Sequence, residues 1–189
     1  MGWVPKRLGP QAIVYPGQQQ QARAAIQWLS GEIRRERVFA HLGWRKHGSD
    51  WVYLHAGGAL GRDGAVPGVQ VQLPAELQSY CLLPSHQGAA RVSAVQASLH
   101  FLSLAPDRIS FPLLAAAYRA PLRKVDFSLF LTGKTGVFKT AVAALCQQHF
   151  GTALDANGLP GNFSSTSAAL QWLAFQAKDA LLCGFRRCE

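Results

Sequence analysis

The stretch SLFLTGKTGVFKTAVAAL, residues 128–145, decides how this chain is read. The compact apolar run FSLFL at 127–131 predicts a strand, TGKTGVFK a turn, and TAVAALCQQHF a helix burying Val142, Leu145 and Cys146, with Gly151 as its C-cap. Within the turn, Gly133 stands ahead of the Lys139–Thr140 pair at the spacing of G-x-x-x-x-G-K-[ST], a phosphate-binding loop. Small residues such as Gly133 and Gly136 let backbone N–H groups turn inward and approach phosphate oxygens. A helix starting near Lys139 aims its positive end at the same charge. The candidate nucleotide-binding set is therefore Gly133, Lys134, Thr135, Gly136, Val137, Phe138, Lys139 and Thr140. Lys139 would reach the β- and γ-phosphates of ATP, and Thr140 would hold Mg2+. Phe138 departs from the pattern, standing where glycine is expected. Its side chain would turn into the helix packing while its N–H faces phosphate, and a positive φ would suit it poorly. The competing reading is a plain Gly-rich turn between strand and helix.

Outward from the loop, GLPGN closes a connection, and SSTSAALQWLAFQAKDA opens with hydroxyl residues suited to an N-cap. Leu170, Leu173, Ala174 and Ala177 then share a helical face, and ALL at 180–182 starts a further strand. Strand, loop, helix, helix, strand is the opening of a parallel α/β unit. Upstream, RVSAVQASLHFLSLAP predicts a helix with Val92, Val95, Leu99 and Leu102 on one face, and DRISFPLLAAAYRAPLR a second, with Pro112 near its first turn. Earlier still, two aromatic stretches flanking HGSD predict a β-hairpin. VPGVQVQLP predicts a short strand with Val69, Val71 and Leu73 on one face. The QQQQ run at 18–21 leads into a helix that places Ala22, Ala25, Ile26 and Leu29 together. The organisation expected is a mixed α+β region over 1–85, a helical connector over 86–125, and a partial nucleotide-binding α/β domain over 126–189.

The composition is that of a folded protein, with nearly half the residues apolar and 15% charged. The net charge of +9 favours an anionic partner, nucleotide or nucleic acid, although a solvated basic surface accounts for it equally. Cys81, Cys146, Cys183 and Cys188 form no CxxC pair, so reduced thiols in a cytoplasmic protein are the simplest account. Neither a signal core nor a membrane-length apolar run is present in the sequence. His41, His47 and His55 lie near one another in the hairpin; a metal pair would lack a third ligand, and ordinary strand histidines are the plainer reading. HAGGALG is a tight turn rather than a second nucleotide site. Trp44, Trp51 and Tyr53 would stack on bases of a single strand with Arg45 and Lys46 on phosphates, or else serve as core and rim aromatics. The sequence displays no serine or cysteine nucleophile arrangement, and Cys146 on a buried helix face should be inert.

Taken in order, GWRKHGSDWVYLHAGGALG at 43–61, PLLAAAYRAPL at 112–122, SLFLTGKTGVFKTAVAALCQQHFG at 128–151 and LPGNFSSTSAALQWLAFQAKDALL at 159–182 resemble domain-of-unknown-function family 927. These are P-loop ATPase, helicase-like proteins of plasmids, phages and integrated elements. The resemblance covers nearly all of 22–182. It implies an ATP-binding motor core behind an N-terminal mixed domain, acting on DNA in element replication or mobility. It carries the phosphate-loop role to Gly133, Gly136, Lys139 and Thr140, and implies tolerance of a bulky residue before the lysine. The SST at 164–166 also matches, as a helix cap rather than a catalytic contact. After AKDALL the family pattern continues into a strand ending in paired acids, which hold the Mg2+ shell and activate water. Here CGFRRCE follows instead; Asp179 precedes the strand and Glu189 is terminal. A reading-frame shift after Leu182, giving a truncated product, is the expectation. Such a chain would bind ATP with Mg2+ weakly, would not hydrolyse ATP efficiently, and would leave apolar surface exposed; the alternatives are a basic single-stranded nucleic-acid-binding or scaffold fragment without nucleotide chemistry, and an inactive gene remnant.

Overall fold

The computed structural model describes residues 3–9, 11, 13–32 and 37–185, and it is mixed α/β, with both parallel and antiparallel strand pairs. The chain divides into two units, 1–36 and 37–189. The first holds helices α1 (Trp3–Leu8) and α2 (Gln19–Leu29). The face expected to bury Ala22, Ala25, Ile26 and Leu29 is not buried: Ile26 and Leu29 are exposed, and no α2 residue is buried. The amphipathic spacing is present, but no described residue of this unit covers it.

The second unit begins with β1 (Val38–Phe39). A four-stranded antiparallel meander follows: β2 (Gly43–His47), β3 (Asp50–His55), β4 (Gly58–Gly61) and β5 (Gly64–Ala65). The expected hairpin is β2–β3, with His47 opposite Asp50 and Gly48–Ser49 as its turn. Strand β6 (Gln70–Val71) pairs in parallel with β1, and Val69 and Leu73 face inward while Gln70 and Gln72 face solvent, as alternation requires. Phe39, Val52, Leu54, Ala59 and Val69 form a small core on one side of the meander.

Four helices follow, α3 (Gly88–Leu99), α4 (Asp107–Arg119), α5 (Lys139–Gln147) and α6 (Ser167–Gln176), and the last three contribute to the larger core together with the turns between them. Leu113, Leu114 and Ala117 from α4 meet Cys146 from α5, Leu173 from α6, and Tyr80, Phe101 and Phe150 from the connecting turns. Pro112 lies in the second turn of α4 rather than the first, leaving the Arg108 carbonyl without its i+4 donor. In α6, Thr166 caps the start by accepting from the Ala169 N–H at 3.2 Å. Leu173, Gln176 and Ala177 form its buried stripe; Ala174, expected there, is exposed.

Two further expectations fail, both of buried helix faces. Val92, Val95 and Leu99 on α3 are exposed, and no α3 residue is buried. Leu145 on α5 is likewise exposed, although Cys146 is fully buried. Gly151 is the C-cap, as expected, ending the 3-10 turn Gln148–Phe150 that continues α5, with an extended φ of 164°. Glycine is required there for closeness, because a Cβ would run into the Ser79 carbonyl oxygen.

The apolar run 127–131 forms no strand. Residues 125–132 make no main-chain hydrogen bond among the described residues, and Phe127, Leu129 and Phe130 are exposed. A strand needs a partner, and none is supplied here. The strand read at 180–182 instead appears at Gly184–Phe185, β8, pairing in parallel with β7 (Gly161–Asn162).

Candidate functional site

The loop expected to bind phosphate runs from Gly133 to Thr140 and delivers the chain directly into α5, whose first residue is Lys139. Two glycines take the conformations the turn demands: Gly133 has φ 153° and Gly136 φ 87°. Phe138 is the N-cap, with φ 54° and ψ 21°, left-handed geometry that costs a residue with a Cβ about 1–2 kcal/mol. Its ring does not pack into the helix as anticipated; it is 76% exposed. The whole stretch Lys134–Phe138 is exposed, as is Thr140, while Lys139 is partly covered.

Lys139 determines the electrostatics. Its Nζ donates to the carbonyl of Gly133 at 3.0 Å and to that of Lys134 at 2.6 Å. An ammonium has three N–H donors, so two brace the loop and one remains. The main-chain amides of 133–138 donate to no protein group among the described residues. They join the unpaired amides of the first turn of α5, where the helix dipole is positive. Loop amides, helix end and ammonium together make a concentration of donors with no resident anion among the described residues.

The metal side of the site is thinner. Thr140, in the first turn of α5, offers a hydroxyl, but no group of three histidine, cysteine or acidic side chains converges anywhere among the described residues. Asp179 is committed elsewhere. Its carboxylate accepts from the Trp44 N–H at 3.0 Å, its carbonyl accepts from the Tyr53 hydroxyl at 2.7 Å, and its own φ is 59°. Glu189 lies outside the described residues. The residues present fit a polyphosphate and do not fit a carboxylate-held Mg2+.

Beside the loop, a cavity of about 380 Å3 lies between the segment 129–132 and α4, lined by Arg108, Ile109, Pro112, Leu129, Phe130 and Thr132. Its lining ends at Thr132, one residue before the loop.

The hairpin aromatics divide. The Trp44 indole N–H donates to the Pro121 carbonyl at 2.7 Å and its ring meets Tyr53 edge-on at 5.4 Å, so both serve the fold. Burial and the Asp179 charge push the Tyr53 hydroxyl pKa far up. Trp51 is half exposed, opposite Lys46 in register, and carries the Arg123 guanidinium 4.7 Å over its ring. Arg123 and Lys124 both have positive φ, and the Arg119 guanidinium donates to both of their carbonyls.

The histidines do not assemble into a metal site. His41 Nδ1 bonds the Leu42 carbonyl, and His47 Nδ1 is buried with no hydrogen-bond partner among the described residues. His55 Nδ1 accepts from the N–H groups of Gly57 and Leu82, both at 3.2 Å, and burial lowers its pKa. Cys146 is inert as expected: its thiol donates to the Leu113 carbonyl at 3.0 Å, and burial pushes its pKa up to about 12.

Sequence reading missed one arrangement. Ser98, Tyr118 and His149 come from α3, α4 and the turn after α5, and their polar atoms meet. Ser98 and His149 are 51 residues apart, and no motif links them. No family model, no curated protein and no solved structure matches the chain.

Proposed function

We propose that the protein binds ATP through the loop Gly133–Thr140, as the nucleotide-binding part of a helicase-like protein of a mobile element, and that it does not hydrolyse ATP efficiently. The observation that carries this reading is Lys139 at the head of α5, holding the loop by two carbonyls with one donor left, beside main-chain amides that no group among the described residues occupies. The β- and γ-phosphates would lie against that ammonium and those amides. Magnesium would arrive with the nucleotide, held by phosphate oxygens and the Thr140 hydroxyl. With no carboxylate cluster among the described residues, no water-activating step is derived.

The test is titration of a fluorescent ATP analogue with Mg2+ against the wild type and Lys139→Ala. Loss of binding in the variant is expected. Equal affinity of the two rejects Lys139 as a ligand.

A second reading, single-stranded nucleic acid on the β2–β3 hairpin, has one observation in its favour. Arg123 over the half-exposed Trp51, with Lys46 opposite, presents an aromatic face among cations. Salt-dependent retention of an oligothymidine strand, weakened by Trp51→Ala, is the expected result. Retention unaffected by that change removes the reading.

A further inference from the structure

We propose that Ser98 is an activated nucleophile, with His149 as its base and Tyr118 as a hydrogen-bond donor, in a site for acyl transfer from short-chain carboxylic esters. The site is separate from the phosphate loop and does not rest on it.

The protonation pattern follows from the partners. His149 Nδ1 lies 2.8 Å from the Cys146 carbonyl oxygen, which can only accept, so Nδ1 carries the ring proton. In the neutral imidazole Nε2 is then the acceptor, 2.7 Å from Ser98 Oγ, and takes the hydroxyl's one proton. Ser98 has none left for Tyr118, 2.9 Å away, so the Tyr118 hydroxyl donates to Oγ. The Tyr118 ring meets the His149 ring edge-on at 5.9 Å and 63°, which fixes the imidazole plane. Nucleophile, base and orienting carbonyl are in line at hydrogen-bond distance, the geometry that activates a serine.

Ser98 stands out on its own helix. Every other α3 residue is exposed, and Ser98 alone is half-buried. A cavity of about 360 Å3 opens beside it, lined by its neighbour Ala97 and by His149, with His100, Phe101, Leu104 and Leu145 as further walls. This lies at the small end of the roughly 300–1,000 Å3 of ligand sites. Phe101, Leu104 and Leu145 make an apolar wall for a short acyl chain, with Ser103 and Gln148 as polar neighbours, and no lysine or arginine is among the described residues that line the cavity.

The chemistry balances within these groups. Oγ attacks the acyl carbon as its proton passes to His149 Nε2, and the Oγ–C bond forms. The Tyr118 hydroxyl, within reach of Oγ, turns to the oxyanion growing on the same carbon. The bond from that carbon to the alcohol oxygen breaks, and the imidazolium returns the proton to the leaving alkoxide. Water then attacks the acyl-serine, giving its proton through His149 to Ser98 Oγ, and the carboxylic acid departs.

The experiment treats the full chain with a fluorophosphonate probe, maps the modified peptide by mass spectrometry, and follows p-nitrophenyl butyrate hydrolysis. Ser98 is expected to carry the probe. His149→Ala should slow labelling by about 100-fold or more, and Tyr118→Phe by a smaller factor. Ser98→Ala should reduce hydrolysis to that of buffer, while circular dichroism shows the fold kept. Wild-type protein that leaves Ser98 unmodified overturns the proposal without recourse to any variant. So does hydrolysis that persists in Ser98→Ala, and labelling of Ser98 that ignores His149→Ala marks the cluster as a tie between helices only.

Discussion

Replacing Phe138 by glycine should make the protein more stable, an unusual direction for losing an aromatic ring. The native backbone at 138 is left-handed, φ 54° and ψ 21°. A residue with a Cβ loses about 1–2 kcal/mol there, and glycine does not. Against this, glycine gives the unfolded chain more freedom, worth roughly 0.5–1 kcal/mol. The ring gives little back, since it is 76% exposed. Glycine also suits an N-cap better than an apolar residue, by a few tenths of a kcal/mol. The sum is a gain of about 1 kcal/mol. With a urea slope of about 2 kcal/mol per molar, the midpoint moves up by about 0.5 M at unchanged slope. The melting temperature of a chain this size rises by about 2–4 °C. Urea denaturation followed by tryptophan fluorescence reads the first number and calorimetry the second. A midpoint that stays put or falls would mean that the Phe138 ring is packed, or that its backbone is not left-handed, and the account of the loop would fail with it.

Three further outcomes follow from particular residues. His55 is held neutral because its Nδ1 accepts two N–H groups and burial lowers its pKa, so its folded value lies below its unfolded one. Its contribution is complete above the ordinary histidine value near 6.5 and is lost as pH falls toward the folded value; urea midpoints should drop over that window in the wild type and less in His55→Asn, and parallel curves would refute this. Gly151→Ala should cost about 1–3 kcal/mol, because the added methyl meets the Ser79 main-chain oxygen rather than a side chain that can swing away; a midpoint matching wild type would contradict that contact. Alkylation with iodoacetamide, mapped by peptide, should reach Cys81, the exposed one among the described cysteines, and spare Cys146, pushed up to about 12, and Cys183, pushed up to about 11, until urea unfolds the chain; early modification of Cys146 would remove its buried placement.

What was legible in the sequence was what neighbours along the chain decide. The β2–β3 hairpin was readable because alternation and the HGSD turn are local, and so was the start of α5 at Lys139. The Thr166 cap followed from a hydroxyl set before an apolar run. FSLFL failed as a strand because its apolar content measures preference for burial, while a strand exists only through a partner's hydrogen bonds. The faces assigned to α2 and α3 failed similarly: spacing identifies a stripe but does not provide the surface that covers it. Leu145 lost its place to Gln147, whose amide donates to the Tyr80 hydroxyl in the interior. The Ser98–His149 contact had no local signal at all, since three separate helical segments bring it together.

The bare main chain between Lys124 and Gly133 also governs how the molecule would come apart under attack. Proteases need a chain free of helix and sheet, and here such a stretch is offered with Phe127 and Phe130 exposed. Chymotrypsin should therefore cut there before anywhere in the meander. The two pieces would still share one interior, since Leu113 and Leu114 upstream of the cut interlock with Cys146, Phe150 and Leu173 downstream. The product would be a nicked molecule that elutes as a single particle and separates into two bands only once a denaturant is added.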